Sequence, residues 1–356
     1  MTPLYDIALS MLLPNKMRKQ LALVAQFGSA EEAWHHLKEE GMTEALERAK
    51  RELEWINQHD IRVWTHSDAD YPFRLAQCID RPTVLYGKGN LNLSEGHFVS
   101  IVGTRRATER GKELTTKFVH ELHEQVEQVT IVSGGAYGID IAAHRAAMDC
   151  GMQTIIVPAH GLDRIYPTQH RQDAIRALTH GGILTEFPSS TEPLAGFFLQ
   201  RNRIVAGLAD AVVVVESRIR GGSLSTAHMA CGYDRELFSF PGRPNDESSA
   251  GCNRLIQTNK AYLINNAEDM IRAMGWQTRT QPKQGRQTRM LELYEELSAA
   301  QRELLQILQP ADDGLHINQL VMQTEREYSE VSSDLMMLEL QELVQSLPGG
   351  FYRVRY

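Results

Sequence analysis

The sequence predicts an α/β fold: a Rossmann-like, doubly wound, mostly parallel sheet, with a small helical domain before it and a winged helix after it. Three observations carry this. After His59, short β-branched runs alternate with helical stretches, and the runs are apolar throughout, as strands covered on both faces are. The glycine- and arginine-rich segments directly follow those runs, where the loops of a parallel sheet gather. The two ends of the chain carry helical periodicity instead.

Residues 1–60 read as a helix-hairpin-helix or SAM-like domain. Thr2 caps a helix with Pro3 at its first position, and Leu4, Ile7, Ala8, Met11 and Leu12 form its apolar face. Pro14 closes it. A second helix ends at Gly28, Ser29-x-x-Glu32 opens a third as a capping box, and Ala45, Leu46, Ala49, Leu53 and Ile56 mark a fourth.

Residues 61–276 form the extended Rossmann-like core, its centre at about 98–265. Strands are expected at Ile61–Thr65, Val84–Tyr86, Val99–Val102, Thr130–Val132, Thr154–Val157, Ile183–Thr185, Ala211–Val215 and Leu237–Phe240. Gly111–Val126, Ile139–Cys150 and Leu224–Tyr233 are the clearest intervening helices. Residues 277–290 have almost no apolar content, four bases and no acid, and read as a linker. Residues 291–356 read as a winged-helix domain. Ser298-x-x-Gln301 caps a helix bearing Leu304, Leu305 and Leu308, a short helix follows near Asn318–Thr324, and Ser329–Leu343 is the third. Leu347-Pro-Gly-Gly-Phe351 is the tip of a hairpin.

Composition narrows the function. The chain has 356 residues, a net charge of −8, and 42% hydrophobic residues, an ordinary soluble balance that excludes a globally basic nucleic-acid coat. Four separated cysteines (Cys78, Cys150, Cys231, Cys252) fit free thiols in a reducing compartment better than a disulfide framework or a zinc finger. No apolar run approaches the roughly 20 residues of a membrane span, and the N-terminus does not read as a signal peptide. A cytoplasmic protein without a membrane partner is expected.

The loops after the strands carry the chemistry. They include Gly103-Thr104-Arg105-Arg106, Ser133-Gly134-Gly135-Ala136-Tyr137-Gly138, Pro158-Ala159-His160-Gly161, Glu216-Ser217-Arg218-Ile219-Arg220-Gly221-Gly222-Ser223 and Pro241-Gly242-Arg243. Glycines let backbone N–H groups approach an anion, helix starts add positive dipole ends, and arginines bind phosphate in a planar, bidentate way. A dinucleotide site fits poorly, because Gly134-Gly135-x-x-Gly138 is not G-x-G-x-x-G and no acid follows the next strand. A Walker A loop is absent. Residues 98–260 are charge-neutral while both flanks are acidic, and their bases collect on the loops: Arg105, Arg106, Arg110, Lys112, Arg164, Arg171, Arg218 and Arg220. A basic rim on a neutral body suits a groove that tracks a single-stranded nucleic-acid backbone. Solvated or locally paired arginines are the plain alternative.

At these residues the chain resembles the DprA/Smf family of DNA-processing proteins. The resemblance is carried by IVGTRRATERG, IVSGGAYGIDIAAHRAA, HGLDRIYP, LTEFP, FFLQRNRIVAGLADAVVVVES, GGSLSTAHMA and FSFPGRPNDESSAGCNRLI, in order, across about half the chain. It implies a single-stranded DNA-binding protein that protects incoming DNA, dimerises and loads RecA onto DNA during natural transformation. No cofactor, metal or catalytic group is expected. Gly103 and Arg105 stand where the family contacts phosphates, with Thr104 and Arg106 beside them. Ser133, Gly134 and Gly135 match its second glycine loop, and Arg201, Asn202 and Arg203 its R-N-R segment. Two motifs depart. Where the family has asparagine in Y-P-x-x-N, this chain has His170 after Tyr166 and Pro167, and Arg171 just beyond is carried as a basic contact. S-G-S-L-x-T-A becomes Gly221-Gly222-Ser223-Leu224-Ser225-Thr226-Ala227, which keeps the small turn at Gly222 and Ser223. The resemblance also places dimer contacts around Gly251–Ile264, where Leu255, Ile256, Leu263 and Ile264 are apolar.

Among single residues, Tyr166 and Tyr137 are candidates to stack bases or simply to pack. His144 is expected to buttress the glycine loop, and His120 and His123 lack a further ligand pattern for metal. Asp140 and Glu186 form a conceivable catalytic pair, although Asp140 beside a helix start is equally explained by backbone donors. The enzymatic alternative is a LOG-like nucleotide phosphoribohydrolase, whose P-G-G-x-G-T-x-x-E loop carries a carboxylate for the glycosidic bond. The comparable loop here, RIRGGSLSTAHMA, has no glutamate at the matching place. The third helix of the C-terminal domain contains Glu330, Asp334, Glu339 and Glu342 and no Lys or Arg, so its face repels phosphate and is read as protein-contacting.

Overall fold

A computed structural model describes residues 2–279, 297–311, 314–341, 343–347 and 349–354. The chain up to Arg279 forms one compact unit and Thr280–Tyr356 a second.

The first unit begins with four helices, α1 (Leu4–Leu12), α2 (Met17–Phe27), α3 (Ala30–His36) and α4 (Met42–Gln58). Gly28 ends α2 in the left-handed conformation, and the Ser29 side chain accepts from the Glu32 N–H at the start of α3. Pro3 occupies the N-cap of α1, one position earlier than expected, and Thr2 makes no cap bond. Ile7, Ala8, Trp34, Ala49 and Ile56 of these helices share one apolar cluster with Val84 and Tyr86 of the sheet. The helices are therefore built onto the core, and residues 1–60 do not stand as a separate compact unit.

Nine strands follow: β1 (Arg62–Thr65), β2 (Val84–Gly89), β3 (His97–Val102), β4 (Val129–Ser133), β5 (Gln153–Ile156), β6 (Gly181–Thr185), β7 (Ala211–Val214), β8 (Glu236–Ser239) and β9 (Tyr262–Leu263). They form one sheet in the order β1-β2-β6-β5-β4-β3-β7-β8-β9. From β6 to β9 every pairing is parallel, while β1 and β2 add an antiparallel extension at one edge.

Helices cover both faces. On one lie α5 (Phe73–Ala76), α9 (Ala195–Leu208), α10 (Ser223–Gly232) and α11 (Ala250–Gln257). On the other lie α6 (Glu109–Gln125), α7 (Ile139–Asp149) and α12 (Ala267–Met274), while α8 (Arg171–Ala177) packs at the β5–β6 side. Alternation along a strand serves both layers: Val212 and Val214 of β7 face the first set, and Ala211 and Val213 the second. Arg74 of α5 makes two hydrogen bonds to Asp210 just before β7, at 2.6 and 2.8 Å, and tethers the antiparallel edge to the parallel core.

In the second unit, a helix at Ala299–Leu308 opens on a complete Ser298/Gln301 capping box. Helices at Ile317–Thr324 and Tyr328–Leu340 follow, with strands β10 (Leu315–His316), β11 (Val344–Leu347) and β12 (Phe351–Val354) in the order β10-β12-β11. Leu304, Leu308, Leu320, Val331, Leu335 and Val344 fill its core. The strand β10 has two residues, too few to leave a pattern in the sequence. Of the expected linker 277–290, only residues 277–279 are among the described residues.

Candidate nucleic-acid interface

The chain fills the sheet from β3 outward through β4, β5 and β6, then crosses to the other side of β3 to lay down β7. The loops after β3 and β7 must therefore part, which opens a crevice at the carboxyl ends of those strands. A cleft of about 570 Å³ lies there. Gly103, Thr104 and Arg105 line it from the β3 loop, Arg218, Arg220, Gly222 and Ser223 from the β7 loop, Ala136 and Asp140 from the glycine loop and α7, and Phe198, Arg201 and Asn202 from α9.

The loops hold one another in place. The Thr104 N–H donates to the Glu216 carbonyl at 2.7 Å, and the Ile139 N–H donates to the Thr104 carbonyl at 3.4 Å. Gly138 has a φ of +80°, and a Cβ there would lie 2.2 Å from the Thr104 oxygen, so glycine is required where the second loop crosses the first. The Glu216 carboxylate accepts from the Thr108 N–H and hydroxyl at the start of α6. The one carboxylate of the β7 loop is thus held in a structural contact. Across the cleft, the Asn202 amide donates to the Ser225 hydroxyl at 2.9 Å, and the buried Ser223 hydroxyl donates to that of Ser217 at 2.8 Å.

Arg201 forms the floor. It is 4% exposed, and its guanidinium lies where a Cβ on Gly134 would be, so the second glycine of that loop makes room for a cation. Burial pulls its pKa down to about 10, opposed by the Asp140 carboxylate and aided by Arg105. Asp140 is itself buried: desolvation pushes its carboxyl up, while Arg201 and the Ala136 N–H draw it down. His144, beneath the loop, is driven down to about 3 by burial and meets the Thr154 hydroxyl at 2.7 Å, as a neutral buttress.

The rim is different. The Arg105 guanidinium lies 4.7 Å over the Phe198 ring and is exposed to solvent. Arg106, Arg171, Arg218 and Arg220 are exposed too, and among the described residues none of these five has an ion-pair partner. Arg164, by contrast, meets Asp163 at 3.1 Å and Glu192 at 3.6 Å.

Aromatic side chains continue the rim. Tyr166, 47% exposed, meets the Phe198 ring edge-on at 6.1 Å. Its loop is fixed by His160, whose Nδ1 donates to the Gly161 carbonyl while its Nε2 accepts from the Tyr166 N–H. Tyr137, 40% exposed, donates to the Gln169 side chain at 2.6 Å and stands against His170. His170 Nδ1 donates to the Gly135 carbonyl at 3.0 Å, so the residue that departs from the Y-P-x-x-N pattern clamps the glycine loop.

The fold brings Gly103, Thr104, Arg105, Arg201, Asn202, Gly222 and Ser223 to one cleft. Ser133 and Gly134 lie at the end of β4 beneath it; the Ser133 hydroxyl is fully buried and donates to the Ile101 carbonyl, so it presents nothing to the surface. Gly135, Tyr166 and Arg171 belong to the neighbouring loops. Arg203 stands apart, because it is buried, donates to the Asp80 carbonyl at 2.7 Å and pairs with Glu186. Asp140 and Glu186 thus engage different arginines and do not act as a pair. The sequence reading missed Phe198 as the platform beneath Arg105. Its signal was the double phenylalanine one helical turn before Arg201.

Among the described residues of the second unit there is no comparable cluster of exposed arginines. On the helix Tyr328–Leu340, Arg326 just before it pairs with Asp334 and Glu330, and Glu339 accepts from Ser346.

Comparisons with known proteins agree with the arrangement. A family model described as DNA recombination-mediator protein A matches residues 62–275, and one described as the DprA winged helix domain matches residues 292–350. A putative DNA processing protein DprA of Mycobacterium tuberculosis is 32% identical over 88% of this chain and 82% of its own length. The X-ray structure of DprA from Streptococcus pneumoniae superposes with a TM-score of 0.66 at 30% identity, covering 76% of this chain and 98% of that one. A Helicobacter pylori DprA structure, described as giving insight into a unique single-stranded DNA binding mode, superposes with a TM-score of 0.54 at 34% identity, covering 60% and 94%. No helix among the described residues is long and apolar enough to cross a membrane.

Proposed function

The chain belongs to the DNA recombination-mediator protein A family, the DprA/Smf proteins, and on that premise we propose that it binds single-stranded DNA in the β3/β7 cleft and hands that DNA to RecA during transformation and recombination. The observation that supports this most is the contrast within the cleft: a glycine-lined floor holding a buried Arg201, and a rim where Arg105, Arg218 and Arg220 are exposed and have no ion-pair partner among the described residues. Phosphates neutralise such a rim, and Tyr166 and Tyr137 offer faces for bases.

Arg105 is the principal phosphate contact, with Thr104, Arg106, Arg218 and Arg220 beside it, Gly222 and Ser223 at the start of α10, and Arg171 beyond. Ser133, Gly134 and Gly135 shape the floor, and Arg203 serves the core. The role is binding and delivery in the cytoplasm rather than catalysis, and the two carboxylates nearest the cleft, Glu216 and Asp140, are both engaged within the protein. A homodimer is proposed through the sheet edge at β9, where Tyr262 and Leu263 are 62% and 47% exposed. Leu255 and Ile264 are buried and belong to the core.

The test is a titration of one oligonucleotide, single-stranded and as duplex, over a salt series. Single strands bind more tightly at every salt concentration, and Arg105→Ala lowers the slope of log affinity against log salt by about 0.7, one single-strand phosphate contact. Equal affinity for duplex, or an unchanged slope, overturns the reading.

A further inference from the structure

The outward face of the helix Tyr328–Leu340 is apolar and carries no base to meet a phosphate. Val331, Leu335 and Leu338 point into the core, and on the opposite side Ser329, Ser333, Met336, Met337 and Leu340 form a stripe without a charge. Met336 is 64% exposed, Met337 46% and Leu340 70%. Large apolar side chains grouped on one exposed helix face mark an interaction surface, and methionines adapt to the shape of what they meet. Around the stripe the chain is acidic: residues 325–341 carry five carboxylates, Glu325, Glu327, Glu330, Asp334 and Glu339, and one base, Arg326.

Charge decides the occupant. Nucleic acid and the anionic surface of a cellular membrane both place negative charge against those carboxylates. A second copy of the face sets acid against acid, so the stripe is not self-complementary. The basic stretch 277–290 of the same chain has the right charge but almost no apolar side chains to cover methionine and leucine. What remains is a surface with an apolar centre and a basic border.

We infer that the stripe Ser329–Leu340 is a docking site for a basic amphipathic helix of a partner protein, which lays its apolar face on Met336, Met337 and Leu340 and its lysines or arginines against the flanking carboxylates. The thirteen residues of the host helix span about 20 Å, room for a partner helix of similar length.

The test uses the full chain and a labelled synthetic peptide of about 18 residues, long enough to hold a helix on binding. Leucines form one face and lysines flank it. Two controls have the same residues scrambled and glutamates in place of the lysines. Fluorescence anisotropy is expected to show binding of the amphipathic peptide, weaker binding of the scrambled one and none of the acidic one. The double variant Met336→Ser, Leu340→Ser binds about tenfold more weakly or worse, the factor that loss of two apolar contacts brings. Should that variant melt early, Glu327→Lys with Glu330→Lys decides, since it weakens binding at low salt and keeps the apolar stripe. Equal binding of the scrambled peptide, or unchanged binding by both variants, overturns the proposal. So does a chain dimer that dissociates on Met336→Ser, Leu340→Ser, which assigns the stripe to a second copy.

Discussion

The cleft between β3 and β7 and the outward face of the helix Tyr328–Leu340 are both surfaces of kinds that proteins offer to nucleic acid, yet one presents Arg105, Arg218 and Arg220 to solvent and the other presents no base. The cleft owes its cations to topology. Loops from three parallel strands converge at the switch point, and the carboxylates nearby are engaged by Thr108, the Ala136 N–H and Arg201. In the second unit, a similar economy runs the other way: the local arginine, Arg326, is held by Asp334 and Glu330. A winged helix is therefore not by itself a DNA reader. The sign and the freedom of its surface charge decide what it can meet.

A second contrast lies inside the R-N-R segment. Arg201 and Arg203 are two residues apart and both 4% exposed, but Arg201 underlies the cleft and Arg203 is bound to Glu186, whose carboxyl is pushed up by burial. The largest effect expected from any single change follows from this. Arg203→Met leaves the Glu186 carboxyl buried without its cation and lowers the stability of the first unit by about 3–5 kcal/mol, measured by denaturant unfolding. Single-strand affinity of whatever remains folded is unchanged. A variant of full stability that has lost DNA binding returns Arg203 to the interface.

A smaller effect separates the two units. Asp6 on α1 is raised to about 6, chiefly by burial and further by the neighbouring charge of Asp68. Because the folded value lies above that of the unfolded chain, its ionisation opposes folding fully above about pH 6 and not at all below about pH 4. Asp6→Asn therefore stabilises the first unit at pH 7.5 by about 3 kcal/mol, and the gain fades as pH falls to 4. The transition of the second unit stays where it was. A gain that is constant with pH, or one that moves both transitions together, contradicts the assignment.

Much of this was legible in the sequence because the signals were local. Apolar runs such as AVVVV give buried parallel strands, glycine and arginine after a strand mark the loop edge, and Ser298-x-x-Gln301 closes into the capping box that its spacing predicts. What was not legible depends on partners distant in the chain. Nothing beside Arg203 announces that Glu186 lies against it, and nothing beside Gly134 announces the Arg201 guanidinium that fills its missing side chain. The antiparallel pairing of β1 and β2 is not legible for a related reason: a short strand has no direction in the sequence. His170 shows the same limit from the other side. Its role as a clamp on Gly135 is a matter of geometry, and a motif comparison registers it only as a departure.

The comparison between cleft and winged helix is tested most directly by removing one of its halves. A chain ending after Gln284 keeps the whole first unit and loses residues 291–356, in which acids outnumber bases three to one. Titrated against one single-stranded oligonucleotide, it is expected to match the full chain within about twofold, with any gain at low salt disappearing as the screening length falls to about 10 Å near 0.1 M. A several-fold loss of affinity at every salt concentration would place DNA contacts in the second unit and contradict the account.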